Sequence, residues 1–161
     1  PRHDLRSNEA LVRERMSGIE AILRRSGAEG AGPGADALGR GHLALDELEP
    51  AVEQLRKAWD QEYRRPEVAY ALGLALFNQG ESVMAIDQLD AFIRTAGRRL
   101  VPRWLEPPVP DLVTARLVMG TALLSRGDGD RGAAQADAVL REFPRHVEAH
   151  ALGRFLVVLV R

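Results

Sequence analysis

The sequence has 161 residues, of which 45% are hydrophobic and 28% are charged, and its formal net charge is −1. This composition is typical of a folded domain or a short repeat array, and the near-neutral charge predicts no broad attraction to nucleic acid. The absence of cysteine excludes disulfides, thiolate metal ligands and cysteine nucleophiles. The longest apolar run, Phe155–Val160, is much shorter than the roughly 20 residues that span a bilayer, so we expect no membrane insertion.

The N-terminal segment 1–28 is predicted to form one amphipathic helix, from Asp4 to Ser26. Its apolar residues recur at three- and four-residue spacings, and arginines and glutamates occupy the other side. We expect this helix to cap the elements that follow, since the end of a helical stack must be covered. Coiled-coil pairing with another chain is the alternative. The segment 29–34, rich in glycine, is predicted to be a flexible linker.

From Ala35 onward the chain repeats a short pattern. The tripeptide ALG ends at Gly39, Gly73 and Gly153, and the looser VMG ends at Gly120. The first and last steps between these glycines are nearly equal in length, and the middle step, from Gly73 to Gly120, is longer. Helical spacing on both sides of a turn predicts that each unit is a helix, a tight turn and a second helix.

The second unit shows this organisation most clearly. Pro66 opens its first helix, where a missing N–H costs little, and Gly80 is predicted to cap the end of that helix. A second amphipathic stretch then runs from Val83 to Phe92. The second helix of the third unit, near Gly132–Phe143, fits the same spacing only if one residue is inserted in GDGDRG.

The glycines inside the first helices need a physical reason, because glycine costs about 1 kcal/mol relative to alanine in a helix. We predict that they allow the second helix of each pair to approach closely. Ala51 and Ala85 follow Gly39 and Gly73 at the same interval. They are therefore predicted to be the small residues of the facing helices.

This pattern resembles the tetratricopeptide repeat, a family of antiparallel helix pairs of about 34 residues each. The resemblance implies an all-α solenoid of about three and a half units over 35–161, capped by the N-terminal helix. His42 and Leu76 stand where the family often has tyrosine, and we expect His42 to be a packed, aromatic-like ring. The residues that carry the resemblance are Leu38, Gly39, His42, Leu48, Ala51, Leu55 and Ala58 in the first unit, Leu72, Gly73, Leu76, Gly80, Ala85, Leu89 and Phe92 in the second, Gly120, Leu123, Gly127 and Pro144 in the third, and Leu152 and Gly153 in the fourth.

The stretches LGRGHLAL, RRPEVA and YALGLAL also resemble the repeat region attached to many bacterial serine/threonine protein kinases. The phosphate loop, catalytic aspartate and metal-binding motifs of a kinase domain do not occur in the sequence. The resemblance implies a non-catalytic, regulatory segment. Both chain ends look cut, so we expect a piece of a longer bacterial protein, with a cytoplasmic location.

The longer step between the second and third units arises from a proline-rich insertion over 97–110. Its prolines prevent a regular helix. Trp104 is interpreted as the anchor that holds this segment to the helices. A contact with a partner through Arg103 and Trp104 is the alternative.

Motifs that carry chemistry are weak in this sequence. His146 and His150 have the spacing of two metal ligands on a helix, but a third ligand is not evident, and we expect no metal and no cofactor. The tripeptide RGD, Arg126–Asp128, is interpreted as a turn around Gly127. Serine, histidine and aspartate do not occur together in a catalytic motif, so we predict that this segment is not an enzyme.

The resemblance implies that the first helices line a concave groove that binds a peptide or protein segment. Tyr70 and Phe77, two helical turns apart, are predicted to hold an apolar anchor, and Arg40 and Arg154 to attract a carboxylate. Asp36 is expected on the same exposed face. Self-association through the N-terminal helix or FLVVLV, and a helical enzyme domain, are the alternative functions. The predicted groove residues are Arg40, Tyr70, Leu74, Phe77, Asn78, Thr121, His150 and Arg154.

Overall fold

The computed structural model describes residues 2–28, 32–61, 63–96 and 110–159. Within these ranges all regular secondary structure is α-helical, which confirms the predicted all-α class. None of the helices in the described ranges combines the length and the apolar character needed to cross a bilayer. The helices are α1 (Arg2–Ser26), α2 (Gly32–Ala44), α3 (Leu48–Asp60), α4 (Pro66–Asn78), α5 (Ser82–Ala96), α6 (Pro110–Ser125), α7 (Gly129–Glu142) and α8 (Val147–Leu159).

The chain divides into two units, Pro1–Ala75 and Leu76–Arg161, and the division falls within α4. In the first unit α1 packs on α2, and α2 packs on α3. In the second unit α6 packs on α5, α7 and α8, and α7 also packs on α8. In each unit these contacts join mainly helices that are adjacent in sequence.

The contact between α1 and α2 is made by side chains that lie on bare glycine backbone. A Cβ added at Gly34 would lie 2.6 Å from Leu23 Cδ1, and one added at Gly41 would lie 2.6 Å from Met16 Sδ. Both distances are shorter than real Cβ contacts, so a larger residue at either position requires the facing Leu23 or Met16 side chain to shift. Two glycines on one side of α2 thus form the surface that receives α1.

The close helix approach predicted at Gly39 is present between α2 and α3. A Cβ at Gly39 would lie 2.6 Å from Leu55 Cγ and 3.0 Å from the Leu55 backbone nitrogen. Ala51 is fully buried as predicted, but the atoms nearest to Gly39 belong to Leu55. Gly73, the equivalent residue of α4, is buried as well.

Gly120 has the same role in the second unit. A Cβ there would lie 2.7 Å from Leu152 Cδ2 of α8 and 3.3 Å from the carbonyl oxygen of Gly132 in α7. Gly153 differs, because no atom of the described residues lies within 4 Å of the Cβ it would carry. Within the described residues, no helix packs against α8 at Gly153, where the repeat pattern predicts one.

Four helices end in the same turn. A residue with positive φ follows α1, α2, α4 and α6, namely Gly27 (65°), Asp46 (59°), Gly80 (86°) and Gly127 (81°). In each turn this residue donates its N–H to the carbonyl three residues earlier, and the next residue donates to the carbonyl five residues earlier. This is the hydrogen-bond pattern of the Schellman motif, and the cap predicted at Gly80 is confirmed.

The third unit needs no inserted residue, so that prediction is wrong. Gly127 follows Gly120 at the same interval as Gly80 follows Gly73, and the second helix begins two residues after the turn in both units. Gly132 contacts Gly120 and stands in the position that Ala85 occupies relative to Gly73. Several small residues in a row at the start of α7 hide this spacing in the sequence.

Part of the predicted linker is helical. Gly32, Pro33 and Gly34 form the start of α2, and both glycines are buried. A Cβ on Gly32 would collide with the Tyr63 side chain, so glycine at this position serves close packing and not flexibility. Residues 29–31 of the linker, and 97–109 of the proline-rich insertion with Arg103 and Trp104, lie outside the described residues.

Replacing Asp46 by glycine is expected to stabilise the protein by about 0.5 kcal/mol. A non-glycine residue at a left-handed φ costs roughly 1 kcal/mol, and the greater freedom of glycine in the unfolded chain offsets part of the gain. Urea unfolding measures the difference. The reciprocal Gly80→Asp variant should lose stability. If both variants were as stable as the wild type, the backbone at Asp46 would not be strained.

Replacing Gly39 by alanine is expected to destabilise the protein by about 1–3 kcal/mol, because the new methyl group overpacks against Leu55 and its backbone nitrogen. Gly153→Ala is the matched control in a helix position with open space, where alanine should gain up to about 1 kcal/mol. Thermal and urea unfolding of both variants provide the comparison. A stabilising Gly39→Ala would show that α2 and α3 do not need bare backbone at their contact.

Candidate binding surface

The predicted groove residues belong to both units, and each unit is considered by itself. In the first unit Arg40 is exposed, whereas Tyr70 and Leu74 are partly exposed. In the second unit Phe77 is partly exposed, and the exposed members are Asn78, Thr121 and His150. The side chain of Arg154 lies outside the described residues. The groove itself stays a prediction.

Asp36 is buried, and its expected place on the exposed face is therefore wrong. Only 6% of its side chain is exposed, and its Oδ2 accepts a hydrogen bond of 2.9 Å from Arg40. Its Oδ1 is buried without a hydrogen-bond partner among the described groups. Burial raises the pKa of the Asp36 carboxyl, and the positive charges of Arg40 and Arg65 oppose the shift.

The contact with Asp36 limits how Arg40 can bind the carboxylate of a ligand. Half of its side chain is exposed, but one nitrogen is already bonded to Asp36 one helical turn earlier. A ligand carboxylate at Arg40 would compete with a buried carboxylate for the same guanidinium. The predicted attraction of Arg40 for a carboxylate is therefore weaker than its charge alone suggests.

A second arginine stands at the start of α4. Arg65 donates a hydrogen bond of 3.1 Å to the Tyr63 hydroxyl, and its guanidinium carbon lies 5.8 Å from the centre of the Tyr63 ring. Its Nε lies 3.6 Å from Glu67 Oε2. The hydrogen bond to Tyr63, followed by the nearby negative charges, raises the pKa of Arg65. The Tyr63 side chain covers Gly32, so these contacts connect the start of α4 to the start of α2.

A similar aromatic contact lies next to it in the sequence. The guanidinium carbon of Arg64 is 5.8 Å from the centre of the Trp59 ring. Stacking of this kind holds a guanidinium in place and leaves its edge able to donate hydrogen bonds. Arg64 and Arg65 were not among the predicted binding residues, although they follow two aromatic residues in the sequence.

His42, which was expected to be a packed, aromatic-like ring, is partly buried and uses a ring nitrogen in a polar contact. Its Nδ1 lies 2.7 Å from Glu47 Oε2, and Arg13 of α1 lies 2.8 Å from Glu47 Oε1. Since an ionised carboxylate only accepts hydrogen bonds, His42 Nδ1 carries the proton. These hydrogen bonds from His42 and Arg13 lower the pKa of Glu47. Glu47 connects α1 and α2 at the N-terminus of α3, where its side chain makes no capping bond.

The two histidines at the start of α8 are engaged locally. His150 Nε2 donates a hydrogen bond of 2.7 Å to the Pro144 carbonyl oxygen. His146 Nδ1 lies 3.1 Å from Glu148 Oε2 and 3.4 Å from the Ala149 nitrogen. Within the described ranges, no group of three or more histidine, aspartate or glutamate side chains is placed to hold a metal ion.

A depression of about 450 Å³ lies along α7, a second helix of a pair. Among the described residues, its lining includes none of the predicted groove residues. Asp137 and Arg141 face it and are exposed to solvent. The described residues that line it are Ala134, Asp137, Leu140 and Arg141.

Neither protein-family models nor curated proteins give a match to this chain.

Asp36→Asn and Glu47→Gln are expected to change stability in opposite directions at neutral pH. The folded-state pKa of Asp36 lies above its ordinary value of 3.8, so its favourable contribution exists below that value and is lost as pH rises through the folded pKa. The folded-state pKa of Glu47 lies below its ordinary value of 4.5, so its contribution exists above that value and is lost as pH falls.

At pH 7 Asp36→Asn should therefore be more stable than the wild type, and Glu47→Gln less stable. Both differences should shrink as the pH falls towards 3. Urea unfolding between pH 3 and pH 8 measures them. Two differences of the same sign at pH 7 would contradict the assigned shifts.

Proposed function

We propose that this chain is a non-catalytic scaffold of tetratricopeptide type, which binds a peptide or protein segment through its first helices. The observation that carries the proposal is the constant internal spacing of three helix pairs. In each pair the left-handed turn residue follows the helix glycine at the same interval, and the second helix begins two residues later. A repeated unit with fixed geometry presents its exposed first-helix residues at regular intervals, which suits recognition of an extended partner.

Partly exposed apolar side chains on α4 give that surface its binding chemistry. Tyr70 and Leu74 in the first unit and Phe77 in the second each keep part of the side chain accessible. Aromatic residues of this kind are common anchors in protein interfaces, because they bury a large area and lose little conformational entropy. The arginines stacked on Trp59 and Tyr63 add donors for acidic groups of the same partner.

The resemblance to the repeat region of bacterial serine/threonine kinases supports a regulatory setting for this recognition. In that setting the scaffold brings a protein segment to a neighbouring signalling domain, and its own residues form no covalent bond with it. Its action depends on affinity and geometry alone.

Peptide selection on the immobilised chain tests the proposal. A randomised peptide library should yield binders, and fluorescence polarisation should show that Tyr70→Ala or Phe77→Ala weakens binding about tenfold, or about 1.4 kcal/mol, as expected for loss of an anchor. The control is Glu53→Ala, at an exposed position of α3, which should leave the affinity unchanged. Equal affinities for all variants, or a failure to select any peptide, would remove the first helices from the function.

A further inference from the structure

The outer face of α1 carries two exposed apolar side chains with a gap between them. Leu11 and Ile22 are 46% and 59% exposed, and they lie about three helical turns apart, so they share one side of α1. Gly18 lies between them on that side, and no atom of the described residues lies within 4 Å of the Cβ it would carry. Met16, on the inner side, is buried against α2.

The contact between α1 and α2 contains two examples of what fits such a gap. Leu23 lies on Gly34 and Met16 lies on Gly41, each so close that a Cβ would have no room. In both cases a long side chain of one helix covers bare backbone of the next. Gly18 offers the same bare backbone on the opposite side of α1.

The charges beside the gap determine which helix can fill it. Arg15 shares the outer face with Leu11, and Glu14 flanks it. Neither of the two makes an ion pair within the part of the chain that the structure describes. A helix that covers this face must therefore avoid a second positive charge opposite Arg15 and provide an acidic group beside it.

A second copy of α1 satisfies these conditions in one orientation only. In a parallel pair, Arg15 would face Arg15 of the second copy, and such like-charge contacts are unfavourable. In an antiparallel pair with its centre between Met16 and Ser17, Arg15 faces Gly18 of the second copy and Leu11 faces Ile22. The long arginine side chain then crosses the open glycine and reaches Glu14 of the second copy, and the two-fold axis repeats every contact.

We propose that two copies of this chain associate through their α1 helices, packed antiparallel, with Leu11 against Ile22 and Arg15 over Gly18. The contact uses the outer face of α1, and none of the residues assigned to peptide binding takes part. It is therefore independent of the proposed function, and either can fail without the other.

Sedimentation equilibrium over a wide range of concentration tests the association. The wild type should shift from monomer towards dimer as concentration rises, and the Leu11→Glu/Ile22→Glu variant should remain a monomer with unchanged helical circular dichroism. Val83→Glu is the matched control, since Val83 is a similarly exposed apolar residue of α5, at 50%, and should dimerise like the wild type. A wild type that stays monomeric, or a dimer that persists in the double variant, would overturn the proposal.

Exchanging the charges tests the partners of Arg15. Arg15→Glu alone places a glutamate beside Glu14 of the second copy and should weaken the dimer about fivefold or more. Glu14→Arg/Arg15→Glu restores the opposite charges in exchanged positions and should recover the wild-type dissociation constant. A double variant as weak as the single one would contradict the pairing.

Cysteine cross-linking tests the orientation, and the absence of native cysteine makes it specific. Under oxidation, Leu11→Cys/Ile22→Cys should give a disulfide-linked dimer, because the two positions face each other across the antiparallel contact. Leu11→Cys alone should not, since its two copies would lie about 16 Å apart along the helix axis. Efficient cross-linking of the single variant would show a parallel pair and overturn the assignment.

Discussion

The structure depends on helices that meet where one of them has no side chain. At Gly34, Gly39, Gly41 and Gly120 a single added carbon would lie 2.6–2.7 Å from a leucine or methionine side chain of the facing helix. Helices of about 13 residues are marginal alone in water, so their stability comes from such contacts. Each of these contacts brings the two helices close together. The side chain that lies on the glycine also restricts how the two helices can rotate against each other.

This constraint also explains the short connections. Where the following helix must return to the glycine, as α3 does to Gly39 and α7 does to Gly120, the chain has to reverse within a few residues. A left-handed residue at a constant interval after the glycine makes this turn, and the same turn follows α4. Gly80 and Gly127 adopt that conformation at little cost, whereas Asp46 does so with strain. The spacing of glycine, turn and second helix is therefore a single geometric solution that is used three times.

The sequence predicted those parts of the fold that depend on spacing, and it failed where a contact comes from outside the repeat. The glycine at the α2–α3 crossing and the cap at Gly80 follow from periodicity and the residue type. The burial of Asp36 does not, because helical spacing places it one turn before the exposed Arg40 and therefore on the predicted outward side of α2. His42 stands at an apolar repeat position, but Arg13 of α1 also holds Glu47, the partner of His42, and α1 lies outside the repeat.

Two carboxylates near opposite ends of α2, Asp36 within the helix and Glu47 after it, differ in how well their charges are compensated. Glu47 has donors for both oxygens and stabilises the junction of α1, α2 and α3. Asp36 is buried with one oxygen unpaired, which opposes folding at neutral pH. The packing around Asp36 does not require a carboxylate. Residues whose charge conflicts with their burial tend to occur at functional sites. Asp36 also engages Arg40 and lies within the field of Arg65, so it reduces the net positive charge at this surface of the first unit.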